Sequence, residues 1–161
     1  MASEKAKLDR VDLQILKILQ DDGRISNLEL SQKIGLSPAP TLERVKKLEK
    51  AGIIKGYQAV LDLYKLGLGT ETFMQISLAY NKQNAIDNFM DQVSKIDEII
   101  ECYQVTGSSD FILRILVKDV SAYEQLVREK LSHVTEITNM QTMVILSTVK
   151  KARPFYIPDG G

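Results

Sequence analysis

Between Arg24 and Ile54 the chain reads RISNLELSQKIGLSPAPTLERVKKLEKAGII, two short amphipathic stretches separated by Gly35-Leu36-Ser37. Two helices meeting at a tight turn satisfy that pattern. Ser26 and Glu29 have the spacing of a capping box, with Ile25 and Leu30 placed as a hydrophobic staple, so a helix is expected to start there. Leu30 and Ile34 share one of its faces. Gly35 can take the left-handed conformation that ends a helix within one residue, after which Leu36 drops into a core and Ser37 opens the next element. In the second helix Leu42, Val45 and Leu48 recur at helical spacing and leave Thr41, Glu43, Arg44, Lys46, Lys47 and Lys50 outward, until Ala51-Gly52 stops it. Pro38 suits a first helical position, whereas Pro40 disfavours a helical Ala39, so the start lies between Pro38 and Pro40. A further helix precedes the pair, capped by Asp9, stapled by Leu8 and Leu13, and striped by Ile15, Leu16 and Leu19. Beyond Gly52, the runs 53–57 and 59–61 read as short strands about Gly56 that form a wing or lead into a linker strand. The layout is that of a winged helix-turn-helix, which reads double-stranded DNA. Spacing alone leaves a plainer reading open, because helix pairs about a Gly also occur in all-α proteins and a Lys/Arg run can be a solvated face.

Charge separates this segment from the rest. The chain has 161 residues and no formal net charge, yet residues 1–56 carry 11 basic and 8 acidic side chains against 10 and 13 in the remainder. A mildly basic first unit suits a phosphate-facing module, and an acidic second one is suited to proteins or small molecules. With 44% apolar residues the chain can bury folded cores. One Cys and one His supply neither a disulfide framework nor a zinc site, so no metal is expected. No apolar run reaches a membrane span, and MASEKAKLDR lacks the apolar core of a signal peptide, so a cytoplasmic location without membrane contact is expected.

From Leu63 onward the period changes. Residues 72–80 alternate, with Met74, Ile76, Leu78 and Tyr80 on one face, and residues 84–96 place Ile86, Phe89, Met90, Val93 and Ile96 at helical spacing. Two strand-like runs, 99–106 and 111–118, meet at the hairpin Gly107-Ser108-Ser109-Asp110. Ser121 and Glu124 read as a capping box for a helix with Tyr123, Leu126, Val127 and Leu131 inward, and a long strand follows over 137–149. The order is βαββαβ, a ferredoxin-like α+β domain with both helices on one face of an antiparallel sheet. Ile112 and Leu116 flank Arg114 on the other face, and Met143 to Leu146 are apolar in succession. Such a face calls for a cover, most simply a second copy of the chain.

The segment GLSPAPTLERVKKLEKAGIIKGY, the later VTGSSDF and the closing strand ending in Val149-Lys150 resemble the leucine-responsive regulatory protein (Lrp/AsnC) family of feast/famine transcription regulators. The resemblance runs from Leu8 to Lys151. It implies an amino-acid-responsive transcription regulator rather than an enzyme, with a helix-turn-helix domain over 1–56, a linker strand over 57–68, a ligand-binding and assembly domain over 69–151 and an extended tail over 152–161. It also implies homodimers assembling to octamers, with free amino acid effectors bound where dimers meet. Carried over by residue, the recognition helix spans 40–50, with Ser37, Ala39, Thr41, Glu43, Arg44 and Lys47 toward groove or backbone and Lys46 and Lys50 toward phosphate. Arg44 stands out, because its planar fork can pair bidentately with guanine or phosphate, unless an ion pair with Glu43, Glu49 or a neighbouring helix occupies it.

The resemblance places the effector at the hairpin. Asp110 can accept from an ammonium, backbone N–H groups over Thr106, Gly107, Ser108 and Ser109 can meet a carboxylate, and Tyr103, Val105, Met140, Gln141 and Thr142 can line a side-chain pocket with help from a neighbouring subunit. Those linings suggest leucine or methionine. The plainer reading of Asp110 is a turn residue bound to its own backbone. Catalysis finds no support: there is no phosphate-binding glycine loop and no nucleophile-base pair, and His133 and Cys102 fall in different elements. No cofactor is implied. An alternative keeps the second domain as an amino-acid sensor or oligomeric hub whose helices bind protein rather than DNA.

Overall fold

The computed structural model describes residues 7–79, 84–150 and 156–157. Tyr80 and most of the tail from 151 onward, read above as strand end and extended segment, lie outside the described residues. The chain divides into two compact units, one holding the chain up to Val60 together with the tail and the other running from Leu61 to Val149.

The first unit contains α1 (Arg10–Asp21), α2 (Asn27–Ile34) and α3 (Pro38–Lys50). Asp9 caps α1 and exchanges capping bonds with Asp12, while Ser26 and Glu29 do the same for α2. Gly35 sits in the left-handed region at φ 72°, and the Leu36 N–H donates to the Ser31 carbonyl at 3.0 Å, which closes α2 and fixes the turn. The regular helix α3 begins at Pro38, so Ala39 is helical ahead of Pro40, and Ser37 stands at the N-cap without a side-chain capping bond. Ile15, Leu30 and Leu48 form the buried centre, with Val11, Ile34 and Val45 packed around them. Residues 53–62 pair with no strand among the described residues, and 63–67 form turns ended by Gly67 at φ 76°, in place of the strands expected there.

The second unit runs β1 (Thr70–Leu78), α4 (Ala85–Val93), β2 (Ile99–Gln104), β3 (Phe111–Val117), α5 (Val120–Glu129), a short 3-10 turn (Leu131–His133) and β4 (Ile137–Val144). The sheet has the order β2-β3-β1-β4, antiparallel throughout. Its helix-side face buries Met74, Ile76 and Leu78 of β1 and Phe111, Leu113, Ile115 and Val117 of β3 against Phe89, Val93 and Leu126. Phe89 and Phe111 pack with ring centroids 4.7 Å apart. Met90 is exposed, and α5 is capped by Asp119, two residues ahead of the expected Ser121, through a bond from the Ala122 N–H at 2.8 Å. The final strand is also shorter than expected, ending at Val144. Buried Glu136 accepts from Gln92 Nε2 at 3.1 Å, which ties α4 to the start of β4. Among the described residues no helix is long and apolar enough to cross a membrane.

Candidate DNA-binding face and effector site

The residues that α3 turns inward are Thr41, Val45 and Leu48, a spacing of four and three that puts one stripe against α1 and α2. Leu42, expected inward, is 42% exposed, whereas Thr41, expected at the DNA, is fully buried and donates its hydroxyl to the Ser37 carbonyl at 2.9 Å. Val45 and Leu48 keep their expected places and only the first member of the stripe changes, because the small β-branched Thr41 fits the packed face and leaves the longer Leu42 on the flank. Thr41 therefore leaves the set of groove-facing residues. Ala39, Leu42, Glu43, Lys46, Lys47 and Lys50 all lie on the exposed arc.

Arg44 also departs from its expected outward orientation. Its Nη1 lies 2.6 Å from Asp9 Oδ2 and 2.7 Å from Asp12 Oδ1, so the guanidinium clamps the recognition helix to the N-terminal turn of α1. Asp12 is buried, which makes Arg44 the cation that neutralises it. The Asp12 N–H and then Arg44 hold the Asp9 carboxyl below its ordinary range, and the same two carboxylates raise the Arg44 pKa further. This is the ion pair with a neighbouring helix that the sequence left open. No local pattern signals it, because Asp9 and Asp12 meet Arg44 only once α1 and α3 pack together. Lys46, Lys47 and Lys50 form no ion pair among the described residues and supply the free positive charge of the face. Ser37, with no capping bond, retains an available hydroxyl.

In the second unit Gly107 at φ 126° turns the β2–β3 connection, and the Val105 N–H donates to the Asp110 carbonyl at 2.9 Å. Asp110 reaches across to β1: its N–H donates to the Ile76 carbonyl, and its Oδ2 accepts from the Leu78 N–H, both at 2.8 Å. The carboxylate thus braces the hairpin against β1. Thr106, Gly107 and Ser108 are exposed, and Ser109 and Val105 are half-buried. Tyr103 lies on the open face, 51% exposed, where its hydroxyl donates to Glu101 at 2.8 Å.

The remaining expected linings stand elsewhere. Met140 pairs with Ile76 and packs on the helix-side core, Thr142 hydrogen-bonds the Tyr123 hydroxyl on that same side, and Gln141 faces the other way opposite Gln75. Because β2 and β4 are the two outer strands, about 14 Å of sheet separates Tyr103 from Met140. One chain does not gather these residues into a single pocket. Nothing in the spacing of residues signals the network around Arg114, whose Nε and Nη1 lie 2.5 and 2.9 Å from Glu71 and Glu101 on the open face. Only strand register brings those three together.

Residues 8–55 match the family model for winged helix-turn-helix DNA-binding domains, and residues 71–155 match that for Lrp/AsnC ligand-binding domains. The leucine-responsive regulatory protein of Escherichia coli K12 is 41% identical over 150 residues, covering 93% of this chain and 92% of the relative, and its counterpart in Klebsiella pneumoniae is equally similar. The solved L-Met complex of a transcriptional regulator from Neisseria meningitidis superposes with a TM-score of 0.87 at 34% identity, over 90% of this chain and 94% of that one. An AsnC family regulator from Agrobacterium tumefaciens gives 0.86 at 30% identity, over 92% and 97% of the two chains.

Proposed function

The chain belongs to the Lrp/AsnC family, and from that premise we propose that it regulates transcription in response to a free apolar amino acid, leucine or methionine, as a homodimer that assembles to octamers in the cytoplasm. Membership makes it a helix-turn-helix DNA-binding transcription regulator with an amino-acid-binding domain, in a family of regulators rather than enzymes. The observation that carries the DNA-binding role is the exposed arc of α3, where Lys46, Lys47 and Lys50 present positive charge that no internal carboxylate neutralises among the described residues. Those lysines bind phosphate, with Ala39, Glu43 and Ser37 beside them, while Arg44 acts from behind by fixing the helix against α1. The effector reading rests on the family and on the L-Met complex of the Neisseria relative. The assembly reading rests on the open sheet face, where Phe73, Ile112, Leu116 and Met143 are only partly covered within one chain.

The test uses double-stranded DNA enriched from a randomised pool by the full chain. Lys46→Ala with Lys47→Ala should weaken binding at least tenfold and make the slope of log affinity against log salt shallower by about one unit for each phosphate no longer neutralised. Because both side chains are exposed, thermal stability should not change. Undiminished binding by the double variant would overturn the assignment of α3.

A further inference from the structure

We propose that Leu42 is a specificity-determining residue of the DNA-binding face, reading the 5-methyl group of a thymine in the major groove. The inference rests on the DNA-binding role proposed for α3 and adds a base to it. Three observations converge. Leu42 is 42% exposed although it is large and apolar, and it lies on a helix whose packed stripe, Thr41, Val45 and Leu48, is already complete without it. One turn before it on the same side stands Ala39, also exposed, and one turn after it stands Lys46, so the apolar pair adjoins the cationic arc that meets phosphate. Arg44, the side chain best suited to a bidentate contact with guanine, is held by Asp9 and Asp12, and Thr41 is buried, which removes two polar readers from this helix.

Besides the two helix-starting prolines, Pro38 and Pro40, what remains exposed in the N-terminal half of α3 is Ala39, Leu42 and Glu43. An aliphatic side chain has no hydrogen bond to offer a base edge. The one apolar feature of the major-groove edge is the thymine methyl, and apolar contact with it is an established mode of direct readout. Glu43, an acceptor only, can take the amine of an adjacent cytosine but contributes nothing at thymine. The N-terminal half of a recognition helix is the part that approaches base edges, and Leu42 is the fifth residue of a helix that starts at Pro38.

The thymine methyl can be removed without disturbing pairing by substituting deoxyuridine. With DNA enriched from a randomised pool by the full wild-type chain, each thymine of the bound site is replaced in turn and affinity is measured by fluorescence anisotropy. Burying one methyl is worth about a fourfold change in affinity, so at least one position per half-site should show a loss of that size. Leu42→Ala should bind thymine and uracil at that position equally, Leu42→Met should retain the preference, and both should keep the wild-type salt slope. If Leu42→Ala discriminates thymine from uracil as wild type does, or no position responds to uracil, Leu42 does not read the base and the inference falls while DNA binding stands. If the pool yields no enriched DNA at all, the underlying reading of α3 falls with it.

Discussion

Arg44 shows how a residue suited to one task can be committed to another. Truncating it leaves the buried Asp12 carboxylate without its cation, so Arg44→Ala should lower stability by about 2 kcal/mol, below the cost for a fully enclosed pair because the Arg44 side chain is 33% exposed. Urea denaturation measures this, and a neutral result would mean the clamp carries no stability. Its partner sets a pH dependence. The Asp12 N–H and Arg44 depress the Asp9 pKa below its ordinary 3.8, so the stabilisation is fully present above that value and is lost as pH falls through the lower folded value. Asp9→Asn keeps an oxygen for the cap and should flatten that acid limb when melting is followed by circular dichroism. Asp110 is likewise tied to the backbone as well as charged. Because its Oδ2 accepts from the Leu78 N–H, Asp110→Ala disturbs the hairpin whatever the effector does, whereas Asp110→Asn keeps one acceptor oxygen for that bond while it removes the charge and turns the other oxygen into a donor. Calorimetry with leucine and methionine on wild type and Asp110→Asn should show at least tenfold weaker binding in the variant. Equal affinity and heat would make Asp110 a brace alone.

The helices of the first unit owe their boundaries to local chemistry. The Ser26 capping box and the Asp9 cap form as their positions predict, the latter completed into a box by Asp12, and Gly35 takes the left-handed conformation its position requires. Beyond its two chain neighbours, no described residue comes within 4 Å of where a Cβ on Gly35 would sit, so Gly35→Ala meets backbone strain alone, about 1 kcal/mol, read as a shift in the urea midpoint. An unchanged midpoint would show that the turn tolerates an L side chain. The phase of α3 was less legible. Leu42, Val45 and Leu48 fit a helical stripe as well as Thr41, Val45 and Leu48 do, and hydrophobicity favours the former. The packed neighbours chose the latter.

For the whole molecule, the open sheet face sets the expectation. Ile112, Leu116, Phe73 and Met143 surround the Arg114 network and are half-covered in one chain, so a fragment spanning 61–149 should fold and self-associate without the helical unit. Sedimentation velocity at micromolar concentration would reveal a dimer or larger species, and a stable monomer would contradict the assembly reading. Leu116→Lys, which places a charge in that face, should shift the fragment toward monomer.

Element order, the two-unit division and the turn at Gly35 were legible because each depends on periodicities and caps that span a few residues, and βαββαβ follows from counting them. The short strands expected over 53–57 and 59–61 and the linker strand over 57–68 do not form, because β-branched and aromatic residues favour an extended chain but a strand also needs a partner, and none is present within the described residues. Which polar side chains face one another was decided only in three dimensions. Arg44 with Asp9 and Asp12, Arg114 with Glu71 and Glu101, and the separation of Tyr103 from Met140 all depend on helix packing or strand order. A local pattern determines where a helix or strand begins and which residues it contains, whereas the partner of a charge is set by segments tens of residues away, and no spacing along the chain encodes that distance.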